Sequence, residues 1–143
     1  MVSESTLRRV ERFEKGLELL EEVAQVRIEE YSDDLRLQSI SERNLQVCIE
    51  TITDLANVII AKKGLRVPST YKDTMKVLQE DGILSKKLAQ ELEELVGLRN
   101  IIVHAYADIK AEMIHENIEF FINLLKEGLK GLLAFCKRNA IDP

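Results

Sequence analysis

The sequence predicts an all-α fold, an up-and-down bundle of four long helices plus one short helix. Leu, Glu, Lys, Ile and Arg dominate, whereas only 2 of 143 residues are Pro, 5% are aromatic and Trp is absent, which is the composition of long helices. Apolar residues recur at three- and four-residue steps over long windows, the period of one helix face. Three of these windows also end in glycine or in a residue that caps the next helix. With 45% hydrophobic content the chain has apolar surface for one continuous core, so residues 1–143 read as a single helical domain.

Val10, Phe13, Leu17, Leu20, Ala24 and Tyr31 mark one face of a first helix from about Ser5 to Glu30. Asp33 and Asp34 offer a cap for a second helix, Leu35 to Lys63, with Leu45, Cys48, Ile52, Leu55 and Ile59 inward and Gly64 at its end, where left-handed backbone is cheap for glycine. Pro68 confirms that break. Ser69 can cap a short helix through Gln79, closed by Asp81-Gly82, and Ser85 can cap the next, which carries Leu88, Leu92, Leu95, Leu98 and Ile102. A last helix, about Ile109 to Arg138, repeats Ile114, Ile118, Phe121, Leu125, Leu132 and Phe135.

The net charge of −5 argues against nucleic acid at first sight, because phosphate binding is driven by Lys and Arg. Its distribution changes the reading. Of 20 basic and 25 acidic residues, 5 and 10 lie in residues 1–34, leaving 15 of each in the rest. Lys62, Lys63, Arg66, Lys72 and Lys76 are opposed within residues 62–76 only by Asp73, a basic stretch fit either for phosphates or for an ordinary solvated loop. Cys48 and Cys136 lack the close pairing of a zinc or redox motif and read as small hydrophobes in a reducing cytoplasm. No signal-peptide pattern opens the chain and no run approaches a membrane span, so the expected location is cytoplasmic with no membrane partner.

One stripe breaks the amphipathic pattern. Arg43, Gln46, Glu50, Thr53, Asp54 and Asn57 line one side of the second helix at three- and four-residue spacing. The plain reading is a solvated face; the sharper one is a cleft lining in which Glu50 or Asp54 lies within reach of Arg99 or His104, since a buried arginine needs a partner.

The chemistry-bearing run is Arg99-Asn100-Ile101-Ile102-Val103-His104-Ala105-Tyr106. A histidine titrates near neutrality and can take or return a proton, while an arginine offers planar donors to phosphate oxygens as charge builds. Asn100, one turn before His104, is placed to orient the imidazole, and Tyr106 adds a hydroxyl. On a regular helix Arg99 and His104, five apart, are rotated by roughly 140° and do not converge. Either the helix ends near His104 and turns the imidazole, or two copies of the motif face each other in a dimer. Taken alone, Arg-x4-His arises often by chance, and a lone helical histidine is more often structural. His104 and His115 are too isolated to argue a metal site, and no cofactor motif competes.

The run Val96-Gly97-Leu98-Arg99-Asn100-Ile101-Ile102-Val103-His104-Ala105-Tyr106 resembles the signature of HEPN-domain toxins, in particular the HepT-like group, whose motif is Arg-Asn-x3-His-x-Tyr. Glu42-Arg43-Asn44-Leu45-Gln46, Ile49-Glu50 and Asp54-Leu55-Ala56-Asn57 are similar to the family's second helix, and Pro68-Ser69-Thr70-Tyr71 and Asp81-Gly82-Ile83-Leu84-Ser85 are similar to the family's segments after that helix. The resemblance spans about residues 35–135, with little signal in the first helix. Val58 and Lys110 depart from the family's usual residues and leave substrate choice open.

The resemblance implies the toxin of a toxin–antitoxin pair, an endoribonuclease working as a homodimer in which Arg99 and His104 of both chains meet in a shared cleft. It would cut RNA to leave a cyclic phosphate. The residue types add metal-independent chemistry with Asn100 beside them, and the stripe adds Arg43, Glu50 and Asp54 as cleft lining. The implied partner is a minimal nucleotidyltransferase antitoxin that transfers AMP onto the motif tyrosine, here Tyr106. A second reading is a non-catalytic module of the same fold, binding nucleotide or partner as a subunit of a nucleotidyltransferase complex. A third makes Arg99 and His104 interface groups of a structural dimer.

Overall fold

The computed structural model describes residues 2–143. Helix α1, Glu4–Ala24, is capped by Ser3, whose Oγ accepts the Thr6 N–H at 3.2 Å. The one-turn α2, Ile28–Ser32, comes after a break that the sequence pattern ran through. The reason is phase: Ala24 and Tyr31 are seven residues apart, two helical turns, and point the same way whether or not the helix continues. The break frees the Val26 carbonyl, which lies 2.6 Å from His115 Nε2, and it seats Tyr31 fully in the core. There the phenol oxygen lies 2.7 Å from Ser41 Oγ and the ring packs on His115 with centroids 5.1 Å apart.

Helix α3, Leu35–Lys63, begins at Asp34, whose carboxylate accepts the Arg36 and Leu37 N–H groups, and ends at Gly64 in the left-handed region at φ 64°. Helix α4, Tyr71–Glu80, is capped by Thr70 rather than Ser69. Both residues are competent caps, but the Ser69 hydroxyl and N–H are engaged by Asp73 Oδ2 at 3.2 and 2.9 Å. Helix α5, Lys86–His104, is capped by Ser85 as expected. A 3-10 turn over Tyr106–Asp108 leads to α6, Ala111–Arg138.

Helix α3 is the axis of the bundle: it packs against each of the other five. One cluster of buried side chains runs through all six helices, with Leu45, Ile52 and Ile59 of α3 meeting Phe13, Leu20, Leu92, Leu95, Ile114 and Leu125 in it. Each fully buried Leu or Ile of this kind contributes about 1.5–3 kcal/mol. Helices α1 and α3 approach closely at Gly16, where a Cβ would stand 3.0 Å from Cys48 Sγ and 3.2 Å from Asn44 Oδ1. Both cysteines are buried, and burial pushes the Cys48 thiol up to about 12, so it behaves as the small hydrophobe that its position suggested. Among the described residues no helix is long and apolar enough to cross a membrane.

Candidate functional site

Two packing relations build the site. Helix α5 lies against α3, and α4 lies against α5. The first brings the polar stripe of α3 to the motif helix; the second sets Tyr71, the first residue of α4, beside Arg99. The Arg99 side chain is 13% exposed. Its Nε donates to Glu50 Oε1 at 3.0 Å, its Nη2 lies 3.0 Å from the same oxygen, and its Nη1 donates to Asn100 Oδ1 at 3.1 Å. The guanidinium carbon sits 4.8 Å from the centre of the Tyr71 ring, within range of cation–π attraction. Gln46 Nε2 donates to Glu50 Oε1 at 3.2 Å and so braces the carboxylate from one turn away.

These groups wall a cleft of about 170 Å³ formed by Glu50, Thr53, Asp54, Tyr71, Val96 and Arg99. Partial desolvation raises the Asp54 carboxyl from its ordinary value, Arg9 opposes the shift and the charge of Glu50 adds to it. Such a site can grip an anionic oxygen: a guanidinium has five N–H donors, and Arg99 makes two hydrogen bonds within the chain.

The middle of the α3 stripe, Glu50, Thr53 and Asp54, lines the cleft with Arg99, whereas Arg43, Gln46 and Asn57 lie outside its lining. Arg43, expected in that lining, is exposed. It stands seven residues before Glu50, roughly 10 Å down the helix axis. Asn100 accepts from Arg99 and is not the partner of His104 that its one-turn spacing suggested. His104 is the last residue of α5 and is exposed, so the helix does end where the five-residue offset asked for a turn. The imidazole lies outside the lining of the Arg99 cleft, as does Tyr106, which is 74% exposed at the start of the 3-10 turn.

Of the five cations of the basic stretch, Arg66 is the one held in ion pairs among the described residues. Arg66 is held by Asp73 through Nη1 at 2.7 Å and Nη2 at 2.8 Å, and by Glu80 through Nε at 2.9 Å and Nη2 at 3.1 Å. Glu80 lies outside residues 62–76 and was missed because the contact closes a full loop and helix. Lys63 is drawn over the Phe135 ring, at 5.9 Å from its centre. Lys72 runs along α5, its Cε 3.0 Å from where a Cβ on Gly97 would be.

Sequence reasoning assigned Tyr71 no role. Its only signal was its place in the Pro68-Ser69-Thr70-Tyr71 segment. A second feature also escaped it, an open groove between α5 and α6 lined by Gly97, Leu98, Asn100, Ile101, Met113, Asn117, Phe120 and Phe121, with Lys72 and Glu94 at its rim. Ile101 and Phe120 are 41% and 46% exposed in it.

A family model for ribonuclease HepT-like proteins matches residues 13–132, so the match reaches back into the first helix, where the residue pattern carried little signal. The chain is 32% identical over 104 residues to the mRNA nuclease HepT of Shewanella oneidensis, covering 68% of this chain and 78% of that protein. It is 28% identical over 112 residues to the tRNA nuclease HepT of Aphanizomenon flos-aquae, covering 78% and 76%. A solved structure of the tri-AMPylated Shewanella oneidensis HEPN toxin in complex with MNT antitoxin superposes with a TM-score of 0.83 at 22% identity, covering 93% of this chain and 99% of that one. The cytosolic protein YutE of Bacillus subtilis, of unknown function, superposes at 0.81 with 20% identity, covering 97% and 93%. The last two likenesses concern the fold. The family model covers well over half of the sequence, and the chain belongs to the ribonuclease HepT-like family.

Proposed function

We propose that this chain is the toxin of a toxin–antitoxin pair, a metal-independent endoribonuclease in which Arg99 and His104 act on the scissile phosphate. The observation that carries the reading is the state of Arg99. It is nearly buried, oriented by Glu50 and Asn100, stacked on Tyr71, and still has donors to offer at a cleft. An arginine preorganised in this way stabilises the charge that builds on phosphate oxygens. His104 is the proton carrier. It takes the proton of the ribose 2′-hydroxyl as that oxygen attacks phosphorus, the bond to the 5′-oxygen breaks, and that oxygen leaves with a proton. The products are a 2′,3′-cyclic phosphate and a free 5′-hydroxyl.

In one chain His104 stands at the helix end, away from the cleft, and a homodimer supplies the missing convergence. The groove between α5 and α6 suits a second copy because it carries the motif residues Asn100 and Ile101 beside exposed Phe120 and half-buried Met113 and Phe121. A C2 contact there would place two motif helices side by side. Ile101→Asp or Phe120→Glu should then give a monomer that no longer cuts RNA. A wild-type monomer at micromolar concentration would overturn the shared cleft.

Tyr106 is the control point. Its exposure leaves the phenol open to a minimal nucleotidyltransferase antitoxin, and an AMP group there adds bulk and negative charge near the RNA path. The nuclease names of the relatives and the AMPylated toxin complex among the structural neighbours support this assignment. Tyr106→Phe should keep cleaving RNA while gaining no mass from the antitoxin and ATP. AMP still added to that variant would place the modification elsewhere.

A further inference from the structure

Tyr71 is shared by two clefts. On one side it walls the Arg99 cleft with Glu50 and Asp54; on the other it closes a cleft of about 420 Å³ with Asn57, Val67, Pro68, Ser69, Thr70 and Thr74. The second cleft lies within the size range of small-ligand sites, roughly 300–1,000 Å³. Its walls combine exposed apolar faces with polar edges. Tyr71 is 50% exposed and Val67 86% exposed, two large apolar surfaces flanking a proline, while Asn57, Ser69 and Thr70 add polar atoms at the edges. The cleft is also held in place. The four hydrogen bonds of Arg66 to Asp73 and Glu80, with Asp73 gripping Ser69, tie residues 66–70 to α4. The guanidinium of Arg99 lies only 4.8 Å from the ring centre.

We infer that Tyr71 and the Val67–Thr70 shelf form a nucleobase subsite, which stacks a base of single-stranded RNA next to the nucleotide whose phosphate Arg99 holds. The inference rests on the ribonuclease reading above. A phosphate and a base of neighbouring nucleotides are linked by a few bonds, so a strand whose phosphate meets Arg99 must lay a base close by, and the ring already stacked on that arginine is the nearest aromatic face. Stacking on an aromatic tolerates every base, so the subsite fixes register along the strand more than sequence.

The test uses the full chain with His104→Ala to stop cleavage, and a short single-stranded RNA in which one nucleotide at a time is made abasic. With Tyr71 present, one abasic position should weaken binding by about tenfold, the low to middle range for a base stacked on an aromatic side chain. In the Tyr71→Ala variant that position should stop mattering, whereas Tyr71→Phe should restore it. If Tyr71→Ala weakens every abasic strand equally, Tyr71 only positions Arg99 and the subsite is wrong. If no strand position depends on residue 71 while wild-type protein cuts RNA, the subsite alone fails. If wild-type protein neither binds nor cuts RNA, the ribonuclease reading fails and takes the subsite with it. Circular dichroism of each variant separates these outcomes from misfolding.

Discussion

Arg66 and Arg99 are both held by carboxylates, yet they occupy opposite ends of what an arginine can do. Arg66 spends four hydrogen bonds on two carboxylates in an exposed setting, its side chain 44% in contact with solvent. Arg99 shares a single oxygen of Glu50, adds one bond to Asn100, and is 13% exposed against an aromatic ring. The first is saturated and ties a loop to a helix. The second is oriented but unsaturated, which is the condition for binding a transient charge rather than a permanent one. The difference shows that local cation density does not tell which arginine keeps spare donors: the basic stretch engages its only arginine internally, while the arginine with spare donors sits in a near-neutral helix.

The largest expected effect separates the two at once. Arg99→Ala and His104→Ala should each lower RNA cleavage by about a hundredfold or more, whereas Arg66→Ala should retain most of the activity and show its effect in thermal unfolding. His104→Ala should leave the unfolding midpoint close to wild type, since the side chain is exposed at a helix end. Equal losses of activity in Arg66→Ala and Arg99→Ala would dissolve the comparison.

Glu50→Gln should have an intermediate effect. It keeps the shape of the side chain but removes the counter-charge of a nearly buried guanidinium, and loss of a charged hydrogen-bond partner of this kind costs about 1–3 kcal/mol. Chemical denaturation should show that loss together with a cleavage rate between those of wild type and Arg99→Ala. Unchanged stability would mean that Glu50 is a spectator.

The smallest effects lie in pH dependence, where the two regions have opposite signs. Arg66 holds the Asp73 and Glu80 carboxyls below the ordinary range, with the Ser69 N–H helping at Asp73. Their stabilisation is therefore present above the ordinary carboxylate pKa and is lost as pH falls through the lowered folded values. Partial desolvation raises Asp54, so its contribution is present below the ordinary carboxylate pKa and is lost as pH rises through the raised folded value. Unfolding midpoints measured between about pH 3 and 6 should lose part of their acid sensitivity in Arg66→Met. In Asp54→Asn they should no longer decline toward the upper end of that window. Identical pH profiles for wild type and both variants would remove the electrostatic contrast.

The legible part of the fold and site came from spacing along single helices. A contact between the polar stripe on α3 and the motif on α5 was legible as the sharper of two readings, because a buried arginine needs a partner, while helical spacing left Glu50 and Asp54 equal candidates for it. Capping by Asp34 and Ser85 and the left-handed Gly64 were equally local. The pairing of Arg66 with Glu80 was not, because it closes over 14 residues of loop and helix. Tyr71 escaped for the same reason: its partner Arg99 is brought to it by the packing of α4 on α5, which no periodicity encodes. The break before α2 hid in the seven-residue step from Ala24 to Tyr31, and Arg43 fell outside the cleft because a stripe gives a face but not where along it another helix crosses.

The central claim is that Arg99 and His104 cut RNA without a metal, and it is tested most directly by incubating the purified chain with single-stranded RNA in excess EDTA and identifying the new ends. The account predicts fragments ending in 2′,3′-cyclic phosphate for the wild type and none above background for Arg99→Ala or His104→Ala. Cleavage that needs added divalent metal, or that continues at the wild-type rate in His104→Ala, would contradict it.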